Sequence, residues 1–185
     1  KPVLVDSELE TWNMDINKIE EKITKKTKAI MVVHTYGHPV DMDKVKRISG
    51  KYSIPIIEDA AESHGAEYKG RKTGSLGDIA CFSYYANKIL TTGEGGMVVT
   101  NNKKWAENAK SLRNHFFGKT RFLHNKIGYN YRMTNMQAAI GVAQLEKIEE
   151  LVLARRNNAK QYNKLLSDVK GIKTPPEAKW AKNVY

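Results

Sequence analysis

Ala29-Ile-Met-Val-Val33 and Ile54-Pro-Ile-Ile57 are two short apolar runs, with Met42, Val45 and Ile48 spaced between them. Continuous apolar runs of this length, bounded by turn signals, read as strands buried on both faces. The first run ends in His34-Thr-Tyr-Gly37, and Pro39 then closes a turn. Met42, Val45 and Ile48 recur at helical spacing and predict an amphipathic helix over residues 41–52. Pro55 stands near the start of the second run, where a missing amide donor is best tolerated. Strand, helix, strand is a βαβ unit, which predicts an α/β fold with a mostly parallel sheet and helices on both faces. Ligands collect at the carboxyl ends of such strands, and Glu58 and Asp59 stand at one of them.

Outward from this unit the pattern continues. Asp15 can cap a short helix running to about residue 24, with Ile16, Ile19 and Ile23 on one face. Ile79-Ala-Cys-Phe-Ser83 and Gly96-Met-Val-Val-Thr100 read as strands, separated by Asn87-Lys88 and the polar loop Thr91-Thr-Gly-Glu-Gly-Gly96. A helix is predicted over residues 104–114. Thr134-Asn-Met-Gln137 has the form of a capping box, and it opens one long helix with Ile140, Leu145, Ile148, Leu151 and Val152 as its apolar positions. The predicted organisation is a sheet domain over residues 1–133, a connecting helix over 134–170, and the start of a smaller domain over 171–185, near Gly171 and Pro175-Pro176. The chain opens on Lys1 and closes in the strand-like Trp180-Ala-Lys-Asn-Val-Tyr185, so it reads as a piece of a longer protein.

With 185 residues, 41% hydrophobic and 28% charged, the composition is globular and excludes fibrous and disordered classes. The apolar runs fall far short of the ~18 residues needed to cross a bilayer, and no secretory segment opens the chain, so a soluble, cytoplasmic protein is expected. Cys81 is the single cysteine and is expected to be a buried free thiol. The net charge is +11, and it lies entirely in residues 101–185, which hold 17 basic and 6 acidic side chains against 14 of each in the first hundred. Arg155, Arg156, Lys160 and Lys164 share a helical pattern with Leu151, Val152, Tyr162 and Leu165 and read as a solvated helix face. Lys119, Arg121, Lys126 and Arg132 instead surround Gly118 and Gly128 in an aperiodic stretch, where an anion contact competes with simple solvation.

Three features converge on one chemistry. Asp59 ends a buried strand, where burial disfavours its charge unless a cation lies within reach. Lys88 is the one lysine between Lys72 and Lys103, and a partly desolvated amine is a nucleophile toward carbonyls. Pyridoxal phosphate uses such a pair, a lysine that forms a Schiff base and an aspartate that keeps the ring nitrogen protonated. Ser83 and Gly93-Glu-Gly-Gly96 offer hydroxyl and backbone donors suited to a phosphate. The plainer readings are an Asp59 that caps a helix, a Lys88 on a surface loop and a glycine run that is only a hairpin turn. No Walker-type phosphate loop or strand-linked Gly-x-Gly-x-x-Gly is present, so nucleotide hydrolysis and dinucleotide binding lose support. His34, His38 and His64 are too scattered for a metal claim and read as hydrogen-bonded structural residues.

Five motifs in order, Ile57-Glu-Asp-Ala-Ala-Glu-Ser-His-Gly65, Gly74-Ser-Leu-Gly-Asp78, Phe82-Ser-Tyr-Tyr-Ala-Asn-Lys88, Thr92-Gly-Glu-Gly-Gly96 and Gly128-Tyr-Asn-Tyr-Arg-Met-Thr134, resemble the DegT/DnrJ/EryC1/StrS sugar aminotransferases. The resemblance implies the aspartate aminotransferase type I fold, with residues 1–133 as part of its pyridoxal-phosphate-binding large domain, and a homodimer with shared active sites. It also implies transfer of an amino group, usually from glutamate, to a keto sugar carried on a nucleotide, for cell-surface polysaccharide or related glycan synthesis. By resemblance Lys88 is the Schiff-base lysine and Asp59 the pyridinium partner. Glu62, where many members have Gln, approaches the cofactor's phenolic oxygen. Ser83 binds the phosphate, and Asn130 reaches the phosphate of the neighbouring subunit's cofactor. Members run to roughly twice this length as domain sizes go, and their N-terminal part supplies a further phosphate loop and a stacking aromatic. His34-Thr-Tyr-Gly-His-Pro39, Asn87-Lys88 and Thr91-Thr-Gly-Glu-Gly-Gly96 are similar to the branch that aminates C4 of GDP-4-keto-6-deoxymannose. A deoxygenating branch has histidine at the lysine position, so Lys88 argues against it. The +11 charge motivates a competing class, a basic nucleic-acid-binding module, but no RNP, zinc-finger or clear helix-turn-helix pattern accompanies it. Amination at C3 within the same family is a further competing reading, as is a family member retained without activity.

Overall fold

A computed structural model of the chain describes residues 1–118, 120, 122–124 and 126–185. Strand β1 (Ile30–Val33), helix α1 (Met42–Tyr52) and strand β2 (Ile56–Asp59) form the expected βαβ unit, with β1 and β2 parallel. Strands β3 (Glu67–Tyr68) and β4 (Arg71–Lys72) make a small hairpin whose turn residues, Lys69 and Gly70, both have positive φ, as a type I′ turn requires. Strand β5 (Ile79–Ser83) adds parallel to β2, and β6 (Gly96–Val99) pairs antiparallel with β5, giving the sheet order β1-β2-β5-β6. Helix α2 (Lys103–Leu112) follows, then α3 (Asn135–Leu145), α4 (Ile148–Leu166) and strand β7 (Ala181–Lys182).

Alternation along the strands decides where the core sits. Ile30 and Val32 of β1, Ile56 of β2 and Ala80 of β5 are buried, as are Met42 and Val45 on α1. Each large apolar side chain so buried contributes about 1.5–3 kcal/mol. The opposite face carries Met31, Val33 and Val98, which are 51%, 42% and 53% exposed, so among the described residues no helix covers these positions. Helix α1 ends at Ser53, which takes a left-handed conformation (φ 53°), and the Ser49 hydroxyl donates to the Ile54 carbonyl at 2.6 Å. Pro55 precedes β2, and its carbonyl accepts from Ile30 N–H at 2.9 Å.

Four expectations are corrected. Residues 16–22 form two single 3₁₀ turns, Ile16–Lys18 and Glu20–Lys22, rather than one helix, although Asp15 does cap the first by accepting from Asn17 N–H. The single helix expected over 134–170 is two, because Lys147 leaves helical geometry (φ −107°, ψ 13°) and its N–H bonds Gln144. Arg155, Lys160 and Lys164 are exposed as expected, but Arg156 is half-buried and leaves the solvated face. Arg155 donates to the Tyr185 carbonyl, while Arg156 pairs with Glu177 at 2.5 Å and donates to the Asn183 carbonyl. Tyr162 and Leu165 are exposed instead, and Val152 is the buried residue of α4. Cys81 is half-buried rather than buried.

The chain end returns to its beginning. Strand β7 pairs antiparallel with β3, Trp180 packs against Tyr68 and His38 at ring separations of 5.1 and 5.4 Å, and Val184 is fully buried. Gly37 (φ +81°) permits this docking, since a Cβ there would collide with Val184. No helix among the described residues is long and apolar enough to cross a membrane.

Candidate active site

The carboxyl ends of β1, β2 and β5 lie side by side, with Val33, Asp59 and Cys81 in register. Glu58, one residue before Asp59, points to the opposite face and is fully buried. Its Oε2 is 3.0 Å from His34 Nε2, and it accepts from Gly74, Leu76 and Gly77 N–H at 2.8, 2.6 and 2.5 Å. His34 Nδ1 accepts from Val40 N–H at 3.1 Å, so Nε2 carries the proton given to Glu58. Burial alone would raise the Glu58 carboxyl, but the bonds from His34, Gly77 and Gly74 outweigh it and hold it below the usual carboxylate range. Glu58 is thus a buried anchor that ties the turn after β1 and the 74–77 turn to the end of β2. Gly74 (φ +84°) lies under the Phe82 ring, where a Cβ would not fit.

Asp59 faces the other way, and among the described residues its side chain is tied to the fold through Oδ1, which accepts from Ala61 N–H at 3.0 Å. Burial first, then the nearby Asp59 charge, push the Cys81 thiol up, which keeps it from acting as a thiolate. Ser83 ends β5, where its Oγ accepts from Tyr85 N–H at 3.3 Å and keeps its proton for a donor bond.

Between β5 and β6 the chain folds into a compact loop. Thr92 N–H and the Thr91 hydroxyl both donate to the Tyr84 carbonyl at 3.0 Å, and Tyr84 N–H donates to Gly95 at 2.9 Å. Helix α3 clamps the loop: Gln144 accepts from Thr91 N–H and donates to its carbonyl, at 3.1 and 2.7 Å. Gln137, whose capping box with Thr134 is formed, donates to the Glu94 carbonyl at 3.2 Å. This frame carries Lys88, whose side chain is only 18% exposed and whose Nζ lies 3.6 Å from Glu62 Oε1. The other Glu62 oxygen accepts from Tyr36 N–H at 3.0 Å.

His64 lies beside this pair, 5% exposed, with its ring 5.2 Å from Phe82 and 6.1 Å from Tyr84. Neither ring nitrogen makes a hydrogen bond of acceptable geometry among the described residues, and burial pushes its pKa down to about 4. His34 and His38 are hydrogen-bonded as expected, whereas among the described residues His64 has only a poorly aligned approach to the Ser83 backbone.

Lys88 and Glu62 are in contact, Asp59 sits three residues before Glu62, and Ser83 is on the strand in register with that of Asp59. Asn130 is not brought to them within the chain; it bridges to Asn114 beyond α2, and its Oδ1 accepts from Arg132 Nε at 3.2 Å. Lys126 lies over the Phe116 ring at 5.4 Å, and Lys119 and Arg121 fall outside the described residues. The contact between Glu62 and the Tyr36 turn was not read from the sequence, nor was the one between His34 and Glu58. Polar residues at the ends of neighbouring apolar runs were the available signal.

These residues fit pyridoxal phosphate by their chemistry: a largely buried amine, a carboxylate free of the buried anchor network, and a strand-end hydroxyl on one rigid frame. The model of the DegT/DnrJ/EryC1/StrS aminotransferase family matches residues 1–185. The chain is 47% identical over 169 residues to the GDP-perosamine synthase of Escherichia coli O157:H7, covering 91% of this chain and 46% of that protein. It is 40% identical over 176 residues to the UDP-2-acetamido-2-deoxy-3-oxo-D-glucuronate aminotransferase of Pseudomonas aeruginosa, covering 95% and 48%. The crystal structure of S. venezuelae DesV superposes with a TM-score of 0.93 at 35% identity, covering the whole of this chain and 50% of that one. The chain therefore spans about half the length of the curated relatives it matches. The fold is that of pyridoxal-phosphate-dependent aminotransferases. Within that class the chain belongs to the DegT/DnrJ/EryC1/StrS aminotransferase family.

Proposed function

We propose that the protein containing this chain transfers an amino group from an amino acid, glutamate, to the keto sugar of a nucleotide-sugar, and that the carbon aminated is C4 of a 4-keto-6-deoxyhexose. The observation that carries the reading is the Lys88 amine, shielded from solvent and held against Glu62 beside the strand end that bears Asp59. Bound pyridoxal phosphate supplies an electron sink for the carbon that exchanges its amino group. Lys88 is the attachment point and, once released, the base that moves a proton from the donor's α-carbon and returns it at the acceptor step. Asp59 holds the proton on the pyridine nitrogen. Ser83 donates to the phosphate. Asn130 reaches the phosphate of the second subunit's cofactor in a homodimer. Preference for C4 over C3 rests on the likeness of residues 34–39 and 87–96 to the C4-aminating branch, since relatives of comparable similarity include one named for a 3-oxo sugar.

Two measurements test this. The intact protein purified with pyridoxal phosphate should show a visible absorbance band that Lys88→Ala abolishes; absence of a Lys88-dependent band refutes the assignment. Mass spectrometry of products from a panel of nucleotide-linked 4-keto and 3-keto sugars with glutamate should then show amination of a 4-keto sugar, and products only from 3-keto sugars would refute the regiochemistry.

A further inference from the structure

Glu62 faces two donors at once. The Lys88 ammonium lies 3.6 Å from one of its oxygens, and Tyr36 N–H donates to the other at 3.0 Å. Tyr36 is held in a left-handed backbone conformation (φ 50°, ψ 31°), which is strained for a non-glycine residue and persists only where neighbours enforce it. Asn13 enforces it from one side, accepting from Thr35 N–H at 2.9 Å and donating to the His38 carbonyl at 3.0 Å. Glu62 enforces it from the other. The two donors meet different Glu62 oxygens, so a glutamine holding this side-chain position would turn its NH₂ toward either the Lys88 ammonium or Tyr36 N–H.

We propose that Glu62 is a positioning residue for the reacting lysine, a twin acceptor that aims the Lys88 nitrogen from the fixed turn after β1 and favours a positive charge on that nitrogen once it is joined to the cofactor. Condensation of the Lys88 amine with the cofactor's aldehyde releases one water and leaves a nitrogen still able to carry a proton. A carboxylate facing that condensed nitrogen favours its protonated form. Besides Glu62, the His64 imidazole lies close enough to feel the Lys88 charge, and it is common to every variant compared below.

The inference rests on the assignment of Lys88 as the cofactor lysine, and the experiment separates the two. In the intact holoenzyme, the visible band is titrated with pH in the wild type, Glu62→Gln, Glu62→Asp and Lys88→Ala proteins. The band should change form at a pH lower by about one unit or more in Glu62→Gln, with part of the shift restored in Glu62→Asp, which keeps the charge. A purely structural role would change the amount of cofactor bound but leave that midpoint in place. A Lys88-dependent band whose midpoint is the same in wild type and Glu62→Gln overturns this inference alone. A band indifferent to Lys88→Ala overturns the lysine assignment and this inference with it.

Discussion

Glu58 Oε2 and His34 Nε2 meet at 3.0 Å with neither side chain exposed to solvent, so the end of β2 is locked to the turn after β1 from beneath. Four donors converge on one buried carboxylate there. Replacing Glu58 with Ala leaves the His34 proton and three backbone amides without an acceptor. The expected cost is about 3–5 kcal/mol, read as a fall in the urea midpoint of the intact protein. Glu58→Gln should recover only part of it, since an amide brings one acceptor oxygen and a competing NH₂.

Acid should weaken the fold through its buried histidines. Burial depresses His64 to about 4 from an ordinary value of 6.5, and burial likewise lowers His38. The unfolded imidazole then binds a proton that the folded one refuses, so the stabilisation is complete above about pH 6.5 and is lost as pH falls toward about 4. For His64 the loss is of the order of 3 kcal/mol. Urea midpoints at pH 7.5 and 4.5 should diverge more in the wild type than in His64→Gln.

The loop bearing Lys88 depends on a side chain 56 positions away. Gln144→Ala removes both hydrogen bonds to Thr91, at about 1–2 kcal/mol of local stability. Amide exchange in residues 88–95 should accelerate, while the strand amides of β1 and β2 stay protected. Unchanged exchange in the loop would show that Gln144 does not hold it.

If Asn130 serves the second subunit's cofactor, mixed dimers of Lys88→Ala and Asn130→Ala chains contain one site with both defects and one with neither. Mixing two weakly active homodimers should therefore restore part of the wild-type rate. With subunit exchange verified, no recovery would place Asn130 outside the neighbouring site.

How legible all this was in the sequence depended on range. Ile30, Val32, Ile56 and the α1 positions Met42 and Val45 announce the βαβ unit because their signal lies within one element. The capping box of Thr134 and Gln137 is equally local. Lys88, Asp59, Glu62 and Ser83 were legible as motif positions. The His34–Glu58 pair was not, since it depends on the parallel register that sets Val32 opposite Glu58. The break between α3 and α4 has no glycine or proline to mark it. Arg156 read as solvated because its partner, Glu177, comes from a segment that folds back.

The four-stranded sheet has a further practical meaning. Among the described residues β1 and β6 each have one neighbour, so two rows of backbone amides and carbonyls stand open at opposite edges, next to exposed Met31, Val33, Met97 and Val98. Such edges template the addition of strands from other chains. Residues 1–185 expressed alone should therefore be prone to associate edge to edge, which a rise in light-scattering mass with concentration would reveal.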